Sequence, residues 1–173
     1  MRLLKSIKSI GLISLLFSAS QNAHAHLMVA QHGTLNIVNN HVFVVLSIPA
    51  SSIKGADDNT DGLMSLAEFT KYRKHISKQV KQHVYMSDQQ YRFNIDGLLL
   101  NPELAHSVNS KIVDQITITG RYTPRVLEEI KFNINLFSHD ETKQTYKITA
   151  SNKQQQLVHQ FELKPLSPYI KLF

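Results

Sequence analysis

The hydrophobic pattern changes period twice along the chain. In the first stretch, Leu35 and Ile37 alternate with polar residues, and Val42, Val44 and Leu46 lie in a second run rich in β-branched side chains. Asn39-Asn40 separates the two, and asparagine tolerates the left-handed backbone of a tight turn, so residues 35–48 predict a β-hairpin. The second run stops at Pro49, which has no N–H to give to a ladder. From residue 65 the apolar positions fall three or four apart, at Leu66, Phe69, Ile76, Val80 and Val84, with Arg73 in the same register. That spacing predicts a helix over about 65–84, with Lys71, Lys74, Lys78 and Lys81 on its solvated faces. Alternation then returns. Residues 91–95 precede Asp96-Gly97, which reads as a turn leading to Leu98-Leu99-Leu100. Residues 113–122, then Ile130 to Leu136, then Tyr146 to Ala150, 157–163 and 169–173 read as further short strands joined by polar turns. Several short strands at this spacing predict a mainly β (α+β) fold, an antiparallel β-sandwich with one inserted helix.

The first 25 residues stand apart from this pattern. Arg2, Lys5 and Lys8 precede an apolar run over residues 10–17, and Ala23-His24-Ala25 is a small-x-small sequence. These are the three parts of a cleavable signal peptide, which predicts an exported protein with 26–173 as a single β-rich domain. A bacterial periplasm is the expected destination, with full secretion as the other outcome. The three basic residues leave with the signal, so 16 basic against 13 acidic residues give +3 rather than +6. Charge and compartment together disfavour nucleic acid as a partner. No later stretch approaches the roughly 18 apolar residues of a membrane span. The absence of cysteine excludes disulfides, zinc ribbons and thiol catalysis.

The segment with the most chemistry is Asp57-Asp58-Asn59-Thr60-Asp61-Gly62-Leu63-Met64-Ser65-Leu66-Ala67-Glu68. Asp57, Asn59 and Asp61, two apart, can each turn one oxygen toward a common centre, and Gly62 permits a sharp reversal. The twelve positions resemble the calcium loop of the EF-hand family. The resemblance implies Ca²⁺ held by Asp57, Asn59 and Asp61, the Leu63 carbonyl, Ser65 directly or through water, and both oxygens of Glu68. Asp58 would point outward and add only charge, and Met64 stands where the family usually has a branched aliphatic. Part of the segment fits another reading: Ser65 as helix N-cap with Glu68 three residues on forms a capping box. Ahead of the loop only residues 50–56 follow Pro49, too few for the entering helix of a full EF-hand. There is no second loop either, which points to a structural fastener rather than a paired sensor.

Cleavage after Ala25 would make His26 the new N-terminus, whose amine and ring nitrogen, with a second histidine, suit Cu²⁺ or Zn²⁺. His32 is the first candidate partner, followed by His41 and His106. Gln31-His32-Gly33-Thr34-Leu35-Asn36-Ile37 and Ser47-Ile48-Pro49-Ala50 are also similar to the opening hairpin of some bacterial periplasmic proteins linked to zinc handling. Gly-x-Ser-x-Gly, a phosphate-cradling glycine loop and His-Glu-x-x-His are all missing, so no enzymatic activity is expected. The expectation is therefore a periplasmic calcium-binding protein with a structural ion site, the soluble component of an envelope system meeting an envelope or inner-membrane protein. The alternative is a periplasmic copper or zinc carrier built on His26.

Overall fold

The structure, a computed structural model, describes residues 29–106 and 110–172. It is a two-sheet, mainly β fold with one helix. Strands β1 (His32–Val38) and β2 (His41–Pro49) form the expected hairpin, with Asn39 at φ 53° in its turn. A single 3₁₀ turn, Ala50–Ser52, leads into the acidic loop. The chain leaves that loop through the two-residue β3 (Met64–Ser65) and enters α1 (Leu66–His83). Then come β4 (Val84–Ser87), β5 (Arg92–Phe93), β6 (Asp96–Leu104), β7 (Ile112–Tyr122), β8 (Lys131–Ile134), β9 (Tyr146–Asn152), β10 (Leu157–Leu163) and β11 (Tyr169–Lys171).

The larger sheet runs β10-β9-β1-β2-β7, and the smaller one runs β11-β8-β4-β5. In the larger sheet β6 occupies one edge of β7. The opposite edge is shared: β2 pairs with β7 from Val42↔Tyr122 to Pro49↔Gln115, and β3 continues the same lane at Met64↔Val113 and Ser65↔Ile112. The acidic loop is thus an excursion from one strand lane that returns to it. Among the described residues all strand pairings are antiparallel except β1 with β9, which is parallel because β9 arrives from the other sheet and pairs with the first strand. Residue alternation is the same for either direction, so the pattern alone carries no sign of it.

The core lies between the sheets and under the helix. Leu46, Ile48, Ile116 and Ile118 from the larger sheet face Met86, Phe132 and Ile134 from the smaller one, all fully buried. Tyr122 meets Phe132 edge-on across the gap, with centroids 6.5 Å apart, and donates to the Val84 carbonyl at 3.3 Å. Helix α1 contributes Phe69, Ile76 and Val80 and packs against β3, β4, β6 and β7, so it touches both sheets. Among the described residues no helix is long and apolar enough to cross a membrane.

Three local expectations are corrected. Asp96-Gly97 does not close a hairpin: it opens β6 with a shifted register as the chain passes from the smaller sheet to the larger. Ile95, at that crossing, packs over Gly120, where a Cβ would come within 2.6 Å of the isoleucine side chain and 2.9 Å of the Asp96 carbonyl. Val84 is buried but belongs to β4 rather than to the helix. Leu66, at the helix start, is 39% exposed rather than buried with Phe69, Ile76 and Val80.

Candidate metal centre

The loop begins where Ala56, 1% exposed, anchors the chain to the core. From there, backbone and side chains close on one another. Asp57 Oδ2 accepts the Gly62 N–H at 2.9 Å, which pulls the loop into its reversal. Gly62 makes that reversal at φ +80°, where a Cβ would be strained. Thr60 also lies in the left-handed region, at φ 57°, unusual for a β-branched residue, so the loop carries a strained backbone position of its own. Asn59 Oδ1 accepts from Asp61 N at 3.2 Å, and its amide donates to Asp61 Oδ2 at 2.8 Å. Asp61 Oδ1 accepts the Leu63 N–H at 2.8 Å.

The second half is the start of α1. Ser65 is its N-cap: Glu68 N–H donates to Ser65 Oγ at 3.2 Å, and Ser65 N–H donates back to Glu68 Oε2 at 2.8 Å. The capping box is therefore present, and Ser65 Oγ–H adds a third bond to Glu68 Oε2 at 2.7 Å. The other glutamate oxygen reaches back across the loop and accepts the Asp58 N–H at 2.8 Å. Glu68 is only 8% exposed. The bonds from the Ser65 backbone and hydroxyl, then from the Asp58 backbone, hold its carboxyl below the ordinary value and keep it ionised.

Two features bear on whether a cation fits. Asp57 Oδ1 is buried and has no hydrogen-bond partner among the described residues. A carboxylate oxygen withdrawn from water without a donor is costly, and a hard cation is one group that satisfies it. The donor set is also the right one, with carboxylate, amide, hydroxyl and carbonyl oxygens and no sulfur. Against this, among the described residues no three His, Asp or Glu side chains converge closely enough to hold a metal. The acidic groups instead engage in pairs, Asp57 with Gly62, Asn59 with Asp61, and Ser65 with Glu68. An ion would exchange the Asn59–Asp61 and Ser65–Glu68 side-chain bonds for contacts of its own, while the backbone turns stay as they are. The residues fit Ca²⁺ in kind.

Asp58 does more than add charge. Lys71 Nζ donates to its Oδ2 at 2.5 Å and the Tyr72 hydroxyl donates to its Oδ1. Those two bonds, the lysine's the larger effect, hold the Asp58 carboxyl below the usual carboxylate range. Four residues earlier, Gln79 and His75 from the same helix both reach the Lys54 backbone. These contacts come from helix positions whose sequence reads as a solvated face, and only their 3–4 spacing hints that they could act together. Beside the loop lies a cleft of about 350 Å³ lined by Ala50, Ile53, Asp57, Gly62, Met64 and His139.

The histidine candidates do not assemble into a site among the described residues. His26 lies outside them. His32 Nδ1 is 2.8 Å from the Ala30 carbonyl. His41 Nδ1 is 3.4 Å from Thr123 Oγ1, and His106 is exposed. Comparison with known proteins finds no family model that matches the chain and no match among curated proteins.

Proposed function

We propose that the chain is an exported calcium-binding protein without enzymatic activity, in which loop 57–68 is a single EF-hand-like ion site that fastens strand to helix. The observation that carries this reading is the buried, unpartnered Oδ1 of Asp57 at the first position of a loop whose spacing suits oxygen coordination. Asp57, Asn59, Asp61, Ser65 and Glu68 would supply side-chain oxygens and Leu63 its carbonyl. Held together, Asp57, Asp61 and Glu68 repel one another, and a divalent cation removes that repulsion. The exported setting is supported by the basic, apolar and small-residue pattern of residues 1–25, and a periplasmic, envelope-facing role follows from it. Extracytoplasmic calcium modules work at about 10⁻⁴–10⁻³ M, an affinity suited to a structural fastener.

The test is calcium-dependent stability. At a calcium concentration 100 times Kd, linkage supplies about 2.7 kcal/mol, which raises Tm by roughly 5–10 °C in a domain of this size. Thermal melts in EDTA and in excess Ca²⁺ should differ by that amount, and Glu68→Gln should abolish the difference while Mg²⁺ reproduces little of it. Identical melts in EDTA and in calcium at 100 times that Kd, on the order of 10–100 mM, would refute the reading.

A further inference from the structure

Helix α1 leaves the loop, yet it also holds the segment that enters it. The approach to Asp57 is one 3₁₀ turn at Ala50–Ser52 and then residues 53–56, so an entering helix does not fix where the first ligand lies. A stripe of helix side chains does. Gln79 pairs with both polar backbone groups of Lys54, accepting its N–H at 3.1 Å and donating to its carbonyl at 2.6 Å, as a neighbouring strand would. His75 Nε2 lies 2.8 Å from the same carbonyl. One turn nearer the loop, Tyr72 and Lys71 take the two oxygens of Asp58. The Tyr72 and His75 rings meet edge-on at 6.4 Å, and Lys71 Nζ sits 4.9 Å from the Tyr72 ring centroid. Tyr72, His75 and Gln79 are three and four residues apart, on one helical face.

Asp57 lies between the two clamped points, and Glu68 lies on the helix that clamps them. The first and last ligands of the proposed ion site are thereby referred to one rigid element, and the Asp58 N–H bond to Glu68 Oε1 closes the circuit. We infer that Lys71, Tyr72, His75 and Gln79 are positioning residues that set the calcium affinity of the loop by ordering its entering segment before the ion arrives. The inference rests on the calcium reading above. None of the four is a ligand: they act as outer-shell partners that orient ligands, and loss of such partners commonly weakens metal binding by about 10–100-fold. This lets a lone loop work without an entering helix or a second loop beside it.

Calorimetric titration of the purified protein with calcium chloride tests the point. Gln79→Ala and Tyr72→Phe should each raise Kd about 10-fold. Gln79→Glu, which keeps the bond from Lys54 N–H but cannot donate to the Lys54 carbonyl, should fall between Gln79→Ala and the unaltered protein. Lys78→Ala, an exposed neighbour outside the stripe, should leave Kd unchanged. A merely structural role would lower the melting temperature equally in EDTA and in excess calcium and leave Kd alone. Values within twofold of the unaltered protein for both Gln79→Ala and Tyr72→Phe overturn the inference while leaving the calcium site standing. An absence of calcium heat in the unaltered protein removes both.

Discussion

Asp58 shows how much one side chain's setting differs from what its position in a motif suggests. In the twelve-residue pattern it is a spacer between two ligands, and nothing in the sequence links it to residues 13 and 14 positions later. In three dimensions its carboxylate is held by Lys71 and Tyr72, and its N–H is held by Glu68. Both acids have folded pKa values pulled below their ordinary values, so the fold favours their ionised forms. The stability they add is complete above the unfolded carboxylate range of about 4–4.5 and drains away as pH falls through the lower folded values. Urea midpoints in EDTA should therefore drop below about pH 4.5, and Asp58→Asn should flatten part of that acid decline while changing the neutral-pH slope little. A midpoint that falls as steeply in Asp58→Asn would show that Asp58 carries none of it. The spacing of oxygen-bearing side chains at 57, 59 and 61 was legible because it is local. The Asp58 clamp was not, because it depends on how the helix doubles back over its own approach.

At the scale of elements, periodicity identified strands and helix where a single face is buried and failed where the chain changes sheet. The hairpin of β1 and β2, the alternation of β7 and β9, and the Phe69, Ile76, Val80 stripe of α1 all follow from one-sided burial. The split of β4, β5 and β6 does not, because Asp96-Gly97 looks like a hairpin turn whether the following strand joins its neighbour or the opposite sheet. Leu66 fitted the helical period yet is 39% exposed, while Phe69 in the same turn is buried. The other end of α1 depends on a distant residue. Arg92, from β5, donates to the Lys81 and Gln82 carbonyls at 3.0 and 2.5 Å and stacks 3.6 Å from the Tyr85 ring centroid. It supplies the donors and the positive charge that a helix C-terminus lacks. Arg92→Ala should cost about 1 kcal/mol in urea unfolding, whereas Arg92→Lys, which keeps the charge and its donors but cannot stack as a plane on Tyr85, should recover less than half. Full recovery by lysine would reduce the role of Arg92 to its charge.

For the molecule as a whole, two tyrosines tie the sheets and close the core. Tyr122 bridges from β7 to the Val84 carbonyl of the smaller sheet, and Tyr146 of β9 donates to the Leu136 carbonyl beyond β8 while packing edge-on to Phe137. Burial pushes both phenols far above the ordinary value, so they remain hydrogen-bond donors through the alkaline range. Spectrophotometric titration of the six tyrosines should accordingly show two that ionise only when the protein unfolds at high pH. Tyr122→Phe should leave one delayed group, and six tyrosines ionising together before unfolding would contradict the packing described. Sequence alone placed both residues in strands, but which carbonyl each hydroxyl finds is decided by how the two sheets stack.

The shared lane along β7 has one more implication. Since β2 ends and β3 resumes against the same partner strand, the number of residues between Pro49 and Met64 works as a fixed span. Side chains alternate along a strand, so a loop shortened enough to slip β3 by one residue along β7 would turn Met64, now 5% exposed, out toward water and bring its neighbour inward. The oxygen-rich bend and the hydrophobic interior are thus cut to a common length, and neither can drift without shifting the other.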